Sequence, residues 1–368
     1  MDTSRIQFPQ PSGLLSSLPA QLGYFPDQRL LVALIHADID ESAQEPRIAV
    51  VEWTLRGYPV DAEPDTEAPD LRTAAQQIGA NVSFAVVVDN RHRATTDSPD
   101  DVDLRLLTEW GQRLTDIGVP LIRGWAVSEF IDGARWWSVI GPEDHGVLTD
   151  CALTPVALER AVTGQPLHRT AEAVTDHFAP DPQLTPLVDG LLPDAHACAE
   201  HRRRRATTPR QLADYHREHV EMVLRTIAHT DAGEPLTPTH IAEAAVAISD
   251  PVVLSCLLAT THGANPVAAQ RTWVLLLAGL TGRERAPVAV LAAYAAYQRG
   301  DGTHAGHTLQ AALTADPANK LASLLHAALK SGLTPHNAST IAEKGLAAAT
   351  DLGIDLRGEC QVGAVTRE

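Results

Sequence analysis

Hydrophobic positions change their period once along this chain. Up to about residue 150 they fall in short continuous runs of strand length, and beyond it they recur every three to four residues, the spacing of one helix face. The runs Arg29–His36 (RLLVALIH), Arg47–Leu55, Asn81–Asp89, Leu121–Phe130 and Ala134–Ile140 predict five strands. Two helices fall between them: Leu71–Ile78, stopped by Gly79, and Asp100–Ile117, with Leu104, Leu107, Leu114 and Ile117 inward and Gly118 as its cap. A short helix at Leu14–Leu18, ended by Pro19, and a turn at Gly23–Pro26 come first. Asp38–Pro46 and Asp61–Asp70 read as acidic loops. Asp132-Gly133 is a hairpin signal between the last two strands. This order predicts an α/β (or α+β) N-terminal domain with a mixed sheet of about five strands, carrying an antiparallel pair at one edge.

From Thr154 the strand signals stop. Thr154–Val162, His168–Phe178, Thr185–Leu192, Thr208–His229, Thr237–Ile248, Pro251–His262 and Pro266–Leu280 are helical candidates. Pro180–Pro193 holds four prolines and reads as a linker or a run of short turns. The most legible stretch is Pro287–Leu333, which predicts three amphipathic helices. The first opens on Pro287 at its first turn, with Val290, Leu291, Tyr294 and Tyr297 on one face. Gly300-Asp301-Gly302 breaks it, and Thr303 can cap the second, whose apolar face is Ala305, Leu309, Ala312 and Leu313. Asp316-Pro317 starts the third, lined by Leu321, Leu324, Leu325, Ala328 and Leu329 and stopped by Gly332, with Pro335 beyond. The expected organisation is an α/β domain over 1–150, a linker with short helices over 151–195, an all-α domain over 196–350 and a tail over 351–368.

Gly300, Ala305, Leu309, Ala312 and Pro317 fall at the spacing of one tetratricopeptide unit, which this hairpin resembles. No second copy follows at a period near 34 residues, and a solenoid needs about three, so the stretch predicts a single helical hairpin within a bundle. A wider resemblance rests on Leu14-Leu15, Leu18-Pro19, Leu22–Pro26 and Leu30-Leu31-Val32, on the hairpin Asp132–Ser138 (DGARWWS), and on Leu291–Ala328 with its Gly300-Asp301-Gly302 and Ala315-Asp316-Pro317 turns. These resemble an actinobacterial family catalogued as domain of unknown function 4192. The resemblance implies an α/β front and a helical back, and it implies no catalytic residue. It departs from the family's pattern around Ile140–Asp150.

Composition adds limits. Hydrophobic residues make up 44% of 368 residues, enough for a sizeable core, but aromatics only 4%, so Leu, Val and Ala must fill it. No apolar run reaches the roughly 18 residues of a membrane span, and MDTSRIQFPQ lacks the basic-then-apolar signal pattern, so a cytoplasmic location is expected. Cys151, Cys198, Cys256 and Cys360 are scattered without a CxxC pair, which argues against a disulfide framework or a structural zinc. Net charge is −17; residues 1–150 hold 24 acidic and 11 basic side chains against 22 and 18 in residues 151–368. The front half should repel nucleic acid and anionic membrane.

Several positions carry candidate chemistry. Asp89-Asn90-Arg91-His92 follows a Val-rich strand, and ligands of open α/β sheets bind outside strand carboxyl ends; Asp89 and His92, with Arg123, are the candidate ligand-binding residues, against a polar strand end entering a loop. No GxGxxG, GxxxxGK[ST] or GxSxG occurs, so no cofactor is expected from a Rossmann, P-loop or hydrolase signature. His196-x-Cys198-x-x-His201, with His216 and His219, collects metal-ligand types, against a polar helix in a His-rich chain; no metal is expected. Arg202, Arg203, Arg204 and Arg205, with Arg210 and Arg217, form the sole basic cluster. They fit phosphates, an acidic partner or a clamp on the acidic front, and without interleaved aromatics they argue against nucleic acid. Trp136 and Trp137 on a strand point to opposite faces; one belongs to the core, and the other is either a partner contact or packed within the protein.

The leading functional expectation is a non-catalytic cytoplasmic scaffold whose helical domain binds an unidentified protein partner, without membrane or cofactor. The rival is a small-molecule or metal-dependent enzyme with its site at the strand ends.

Overall fold

The computed structural model describes residues 11–40, 47–90, 101–332 and 335–357. The chain divides into two compact units, Met1–Val174 with Ala328–Thr334, and Thr175–Ala327 with Pro335–Glu368.

The first unit is built from α1 (Pro11–Leu22), β1 (Arg29–Asp40), β2 (Arg47–Pro59), α2 (Pro64–Ile78), β3 (Val82–Val88), α3 (Asp101–Asp116), β4 (Leu121–Val127), β5 (Arg135–Ile140), β6 (His145–Val147), α4 (Pro155–Val162) and α5 (Ala171–His177). The sheet has six strands in the order β2-β1-β3-β4-β5-β6. Only β3 and β4 run parallel; every other neighbouring pair is antiparallel. β3 is buried at all seven positions, as its unbroken apolar run requires of a strand covered on both faces. One face carries Leu30, Val32, Leu34, Ala85 and Val87 against Leu71, Ala74 and Ile78 of α2 and Leu107, Trp110 and Leu114 of α3. Tyr58 and Trp110 stack there with centroids 4.8 Å apart. The other face carries a ring series, Trp53–Phe84 at 6.5 Å and Phe84–Trp125 at 5.6 Å. Beyond the last β1–β3 pair, Ile35 with Val82, the Asn81 side chain continues the ladder to Ala37. It donates to the Ala37 carbonyl at 2.7 Å and accepts from the Ala37 N–H at 3.0 Å.

The second unit contains α6 (Thr185–Arg205), α7 (Pro209–Asp231), α8 (Pro238–Ile248), α9 (Pro251–Leu258), α10 (Pro266–Ala278), α11 (Gly282–Gln298), α12 (Gly302–Ala315), α13 (Lys320–Lys330, whose last residues group with the first unit) and α14 (Pro335–Asp351). Four of these helices share a start device. Thr208, Thr237, Asp250 and Asn265 each accept a backbone N–H of the first turn, and a proline follows at the position where its missing N–H costs nothing. α11 is the hub. Every residue from Arg285 to Tyr297 is buried, and the helix packs against α8, α9, α10, α12 and α14. It has no polar face to turn to water, which marks a helix enclosed on all sides. Arg285, 7% exposed, donates to the carbonyls of Leu277 (2.5 Å), Leu280 (2.9 Å) and Phe178, closing the open end of α10. Tyr294 donates to the Ala338 carbonyl and accepts the Ala342 N–H, tying α11 to α14. Burial pushes that phenol up to about 12.

Several expectations are corrected. Proline fails as a stop twice and as a start once: α1 continues through Pro19 to Leu22, α6 runs unbroken through Pro193 to Arg205, and α11 begins five residues before Pro287. The stretch read as a linker over 180–193 therefore joins α6 from Thr185 onward. Much of the acidic stretch over 61–70 belongs to α2. Asp301, not Thr303, caps α12. Leu104 and Leu324 face outward, 45% and 67% exposed, while Trp110 takes the core position on α3. β6, three residues long, is too short to show as an alternation.

Two substitutions test this packing. Arg285→Met should strip three buried carbonyls of their donor, lowering the unfolding free energy in urea by about 3 kcal/mol or more, with Arg285→Lys recovering only part of it. Gly345→Ala should lower it by about 1–3 kcal/mol, because a Cβ there collides with the Ser255 carbonyl on α9 and nothing flexible can yield.

Candidate functional site

The strand-end residues do not converge. Asp89 leaves the carboxyl end of β3, 6% exposed, its N–H bonded to the Val127 carbonyl. Beside it Asn90 donates to the Asp27 carboxylate at 3.1 Å. Arg123 pairs across the ladder with Phe84, near the start of β4. Five residues of strand, about 17 Å, therefore separate it from Asp89. Its guanidinium lies against Gly141, whose φ of +104° suits glycine and where a Cβ would sit 2.5 Å from the nitrogen. Burial lowers the Arg123 pKa, opposed by Asp144. Asp89 and Arg123 are thus parts of different neighbourhoods, which corrects the expectation of one shared site. His92 lies outside the described residues.

The tryptophan pair is not a surface contact. Trp136 is 3% and Trp137 8% exposed. The Trp136 indole donates to the Ser12 hydroxyl of α1 at 2.9 Å, and Gly146 leaves room for the ring, since a Cβ there would come within 3.0 Å of it. The Trp137 N–H is buried without a hydrogen-bond partner among the described residues. Both rings are core, one on each face of β5. Two shallow surface concavities, lined by Glu63, Asp65 and Arg113 and by Ala157, Arg160 and Gln165, include none of the anticipated residues.

The second unit does bring sequence-marked residues together. Arg202–Arg205 form the last turn of α6, where cations complement the carbonyl end of the helix dipole. All four are exposed, and Arg204 pairs with Glu200 one turn back at 2.6 Å. Burial first, and then Asp250, raise the pKa of Tyr215 of α7, opposed by Arg202 and Arg203. Its ring stacks on His219 with centroids 4.1 Å apart and meets His216 at 5.4 Å. His216 pairs with Asp250, the cap of α9, at 3.3 Å. His219, 3% exposed, donates through Nδ1 to the Tyr215 carbonyl at 2.7 Å. Burial first, and Arg202 after it, hold its pKa below the usual value against the opposing pull of that hydrogen bond. His196 pairs instead with Glu284 at 3.0 Å. Among the described residues no three His, Cys, Asp or Glu side chains are placed to hold a metal ion, so the His196–Cys198–His201 set does not assemble with His216 and His219. Cys198 is exposed, while burial pushes the Cys151 and Cys256 thiols up to about 11.

One cluster had no warning in the sequence. Asp301, besides capping α12, accepts a bond from His304 Nδ1 at 2.9 Å, and both are nearly fully buried. An aspartate-oriented imidazole is the geometry of general-base sites, but this one is walled in by the rings of Phe178 (5.7 Å) and His177 (6.4 Å). Thr175 reaches His307 at 2.9 Å. The arrangement fastens the last turn of α5, whose residues from Thr175 onward group with the second unit, and Phe178 to α12. Its i, i+3 half was open to reading; the contact with His177 joins residues far apart in sequence. Burial, then His304, lowers the His177 pKa.

His177 and His219 therefore titrate below their unfolded value of 6.5. Depressed histidines contribute stability that is complete above that value and is lost as pH falls through the folded pKa. The urea midpoint should drop between pH about 7 and about 5, and His219→Gln should flatten that drop while lowering the midpoint at neutral pH.

No described helix is by itself long and apolar enough to cross a membrane; the α8–α9 pair passes by composition but is bent by 100°. No curated protein and no solved structure matches the chain. The family described as "Domain of unknown function (DUF4192)" matches residues 11–336. That span takes in the six-stranded sheet, the arginine turn of α6 and the α11–α12 hairpin. The chain belongs to the DUF4192 family.

Proposed function

We propose that this protein is a non-catalytic, cytoplasmic binding protein whose helical unit serves as a scaffold for a protein partner. The observation that carries the reading is the exposed four-arginine turn of α6, a charged surface on an otherwise acidic chain. Surface of this kind steers and orients association. The tetratricopeptide-like hairpin enters with a restriction. α11 is covered on every face, so any groove that the hairpin supplies is built from α12 and α13, where Leu324 is 67% exposed. Against the rival reading of an enzyme at the strand ends stands the separation of Asp89 from Arg123 by five residues of strand, which keeps these two candidates from acting on one substrate atom.

Native mass spectrometry of the protein, gently purified from its own host, tests this directly. The expected spectrum contains a species heavier by the mass of a second polypeptide. A stoichiometric small molecule or metal in its place would overturn the scaffold reading and return attention to the strand ends.

A further inference from the structure

We propose that the arginine collar at the end of α6 docks an acidic segment of a partner protein. This deepens the binding reading and rests on it. Four consecutive residues of a helix are spaced about 100° apart, so Arg202–Arg205 surround the axis rather than line one face. One cation near the terminus already satisfies the helix dipole, for about 0.3–1 kcal/mol, and each further one adds like-charge repulsion. The collar therefore exceeds what the helix needs.

Its groups are also open to a ligand. Arg204 is held by Glu200, whereas the side chains of Arg202, Arg203 and Arg205 make no hydrogen bond or ion pair among the described residues. A guanidinium fork matches a carboxylate with two parallel N–H bonds, and the planar group also lies flat on an aromatic face. Asp250 is paired with His216 at 3.3 Å and makes no ion pair with Arg202, Arg203 or Arg205 among the described residues. The net charge of −17 decides between polyanions. A nucleic acid brings one charge about every 1.7 Å of duplex and is repelled by the rest of the molecule, whereas a short acidic peptide places a few carboxylates where they are wanted.

The test is fluorescence anisotropy with a short labelled peptide of Glu and Asp at about 150 mM salt, where long-range attraction is screened. The wild-type chain should bind, and R202A/R203A/R205A should bind at least about tenfold more weakly. The charge-matched control R225A/R271A/R283A, which removes three exposed arginines elsewhere on the same unit, should change affinity by less than about twofold. Because the collar side chains are exposed, the thermal midpoint of the triple variant should stay at the wild-type value. Absence of binding to the wild type, equal losses in the two triple variants, or tighter binding of single-stranded DNA of the same charge would each overturn the proposal. Native mass spectrometry of the collar variant separates the two levels. A partner retained by the variant sinks the collar and leaves the binding reading in place. A wild-type chain that carries a small molecule and ignores the peptide sinks both.

Discussion

The helical unit depends on the burial of α11 on every side. A helix that offers no face to water can sit only at the centre, and its neighbours must then supply a polar partner wherever backbone groups come free. Arg285 is the main device. It carries a guanidinium inward, where its charge is expensive, and spends its donors on three carbonyls at the end of α10 and after α5. Tyr294 does the same in miniature, satisfying one carbonyl and one N–H of α14. A buried cation without a carboxylate is tolerable when its N–H groups are bonded to helix-end carbonyls, whose partial charge is negative.

In the first unit the corresponding constraint is the double-sided burial of β3 and β4. Both faces must be apolar, which leaves polar groups only at strand ends and at irregularities. Asn81 extends the β1–β3 pairing by one step beyond the last strand pair, satisfying Ala37. Asp89 ends one strand and Arg123 lies near the start of its parallel neighbour, so two polar residues that look close in a list of strands stand at opposite ends of the sheet. Parallel pairing itself produces this separation.

Helix starts were legible because a capping side chain followed by proline is a local signal with a local cause. Thr208, Thr237, Asp250 and Asn265 need no tertiary information to be read. Helix ends and interiors were less so. Pro19, Pro193 and Pro287 lie inside helices; around Pro19 and Pro287 burial of the apolar residues on both sides outweighs one missing backbone bond. Leu324 satisfies the periodicity of α13 and still faces outward, because period does not say which helix faces are covered. The zinc-like His and Cys spacing failed for a related reason: His196 and His216 each found a carboxylate on another helix.

By itself the sequence determined the switch from a sheet to a helical architecture, the positions of nearly all elements, the family and the existence of one exposed basic turn. These follow from period, propensity and caps, which act over a few residues. Tertiary structure alone decided which aromatic rings are core, that α11 is the hub, that His304 meets His177, and that His216 meets Asp250. Each of those depends on side chains brought together from distant positions, and the free energy that selects among such contacts comes from burying surfaces whose partners no local pattern names.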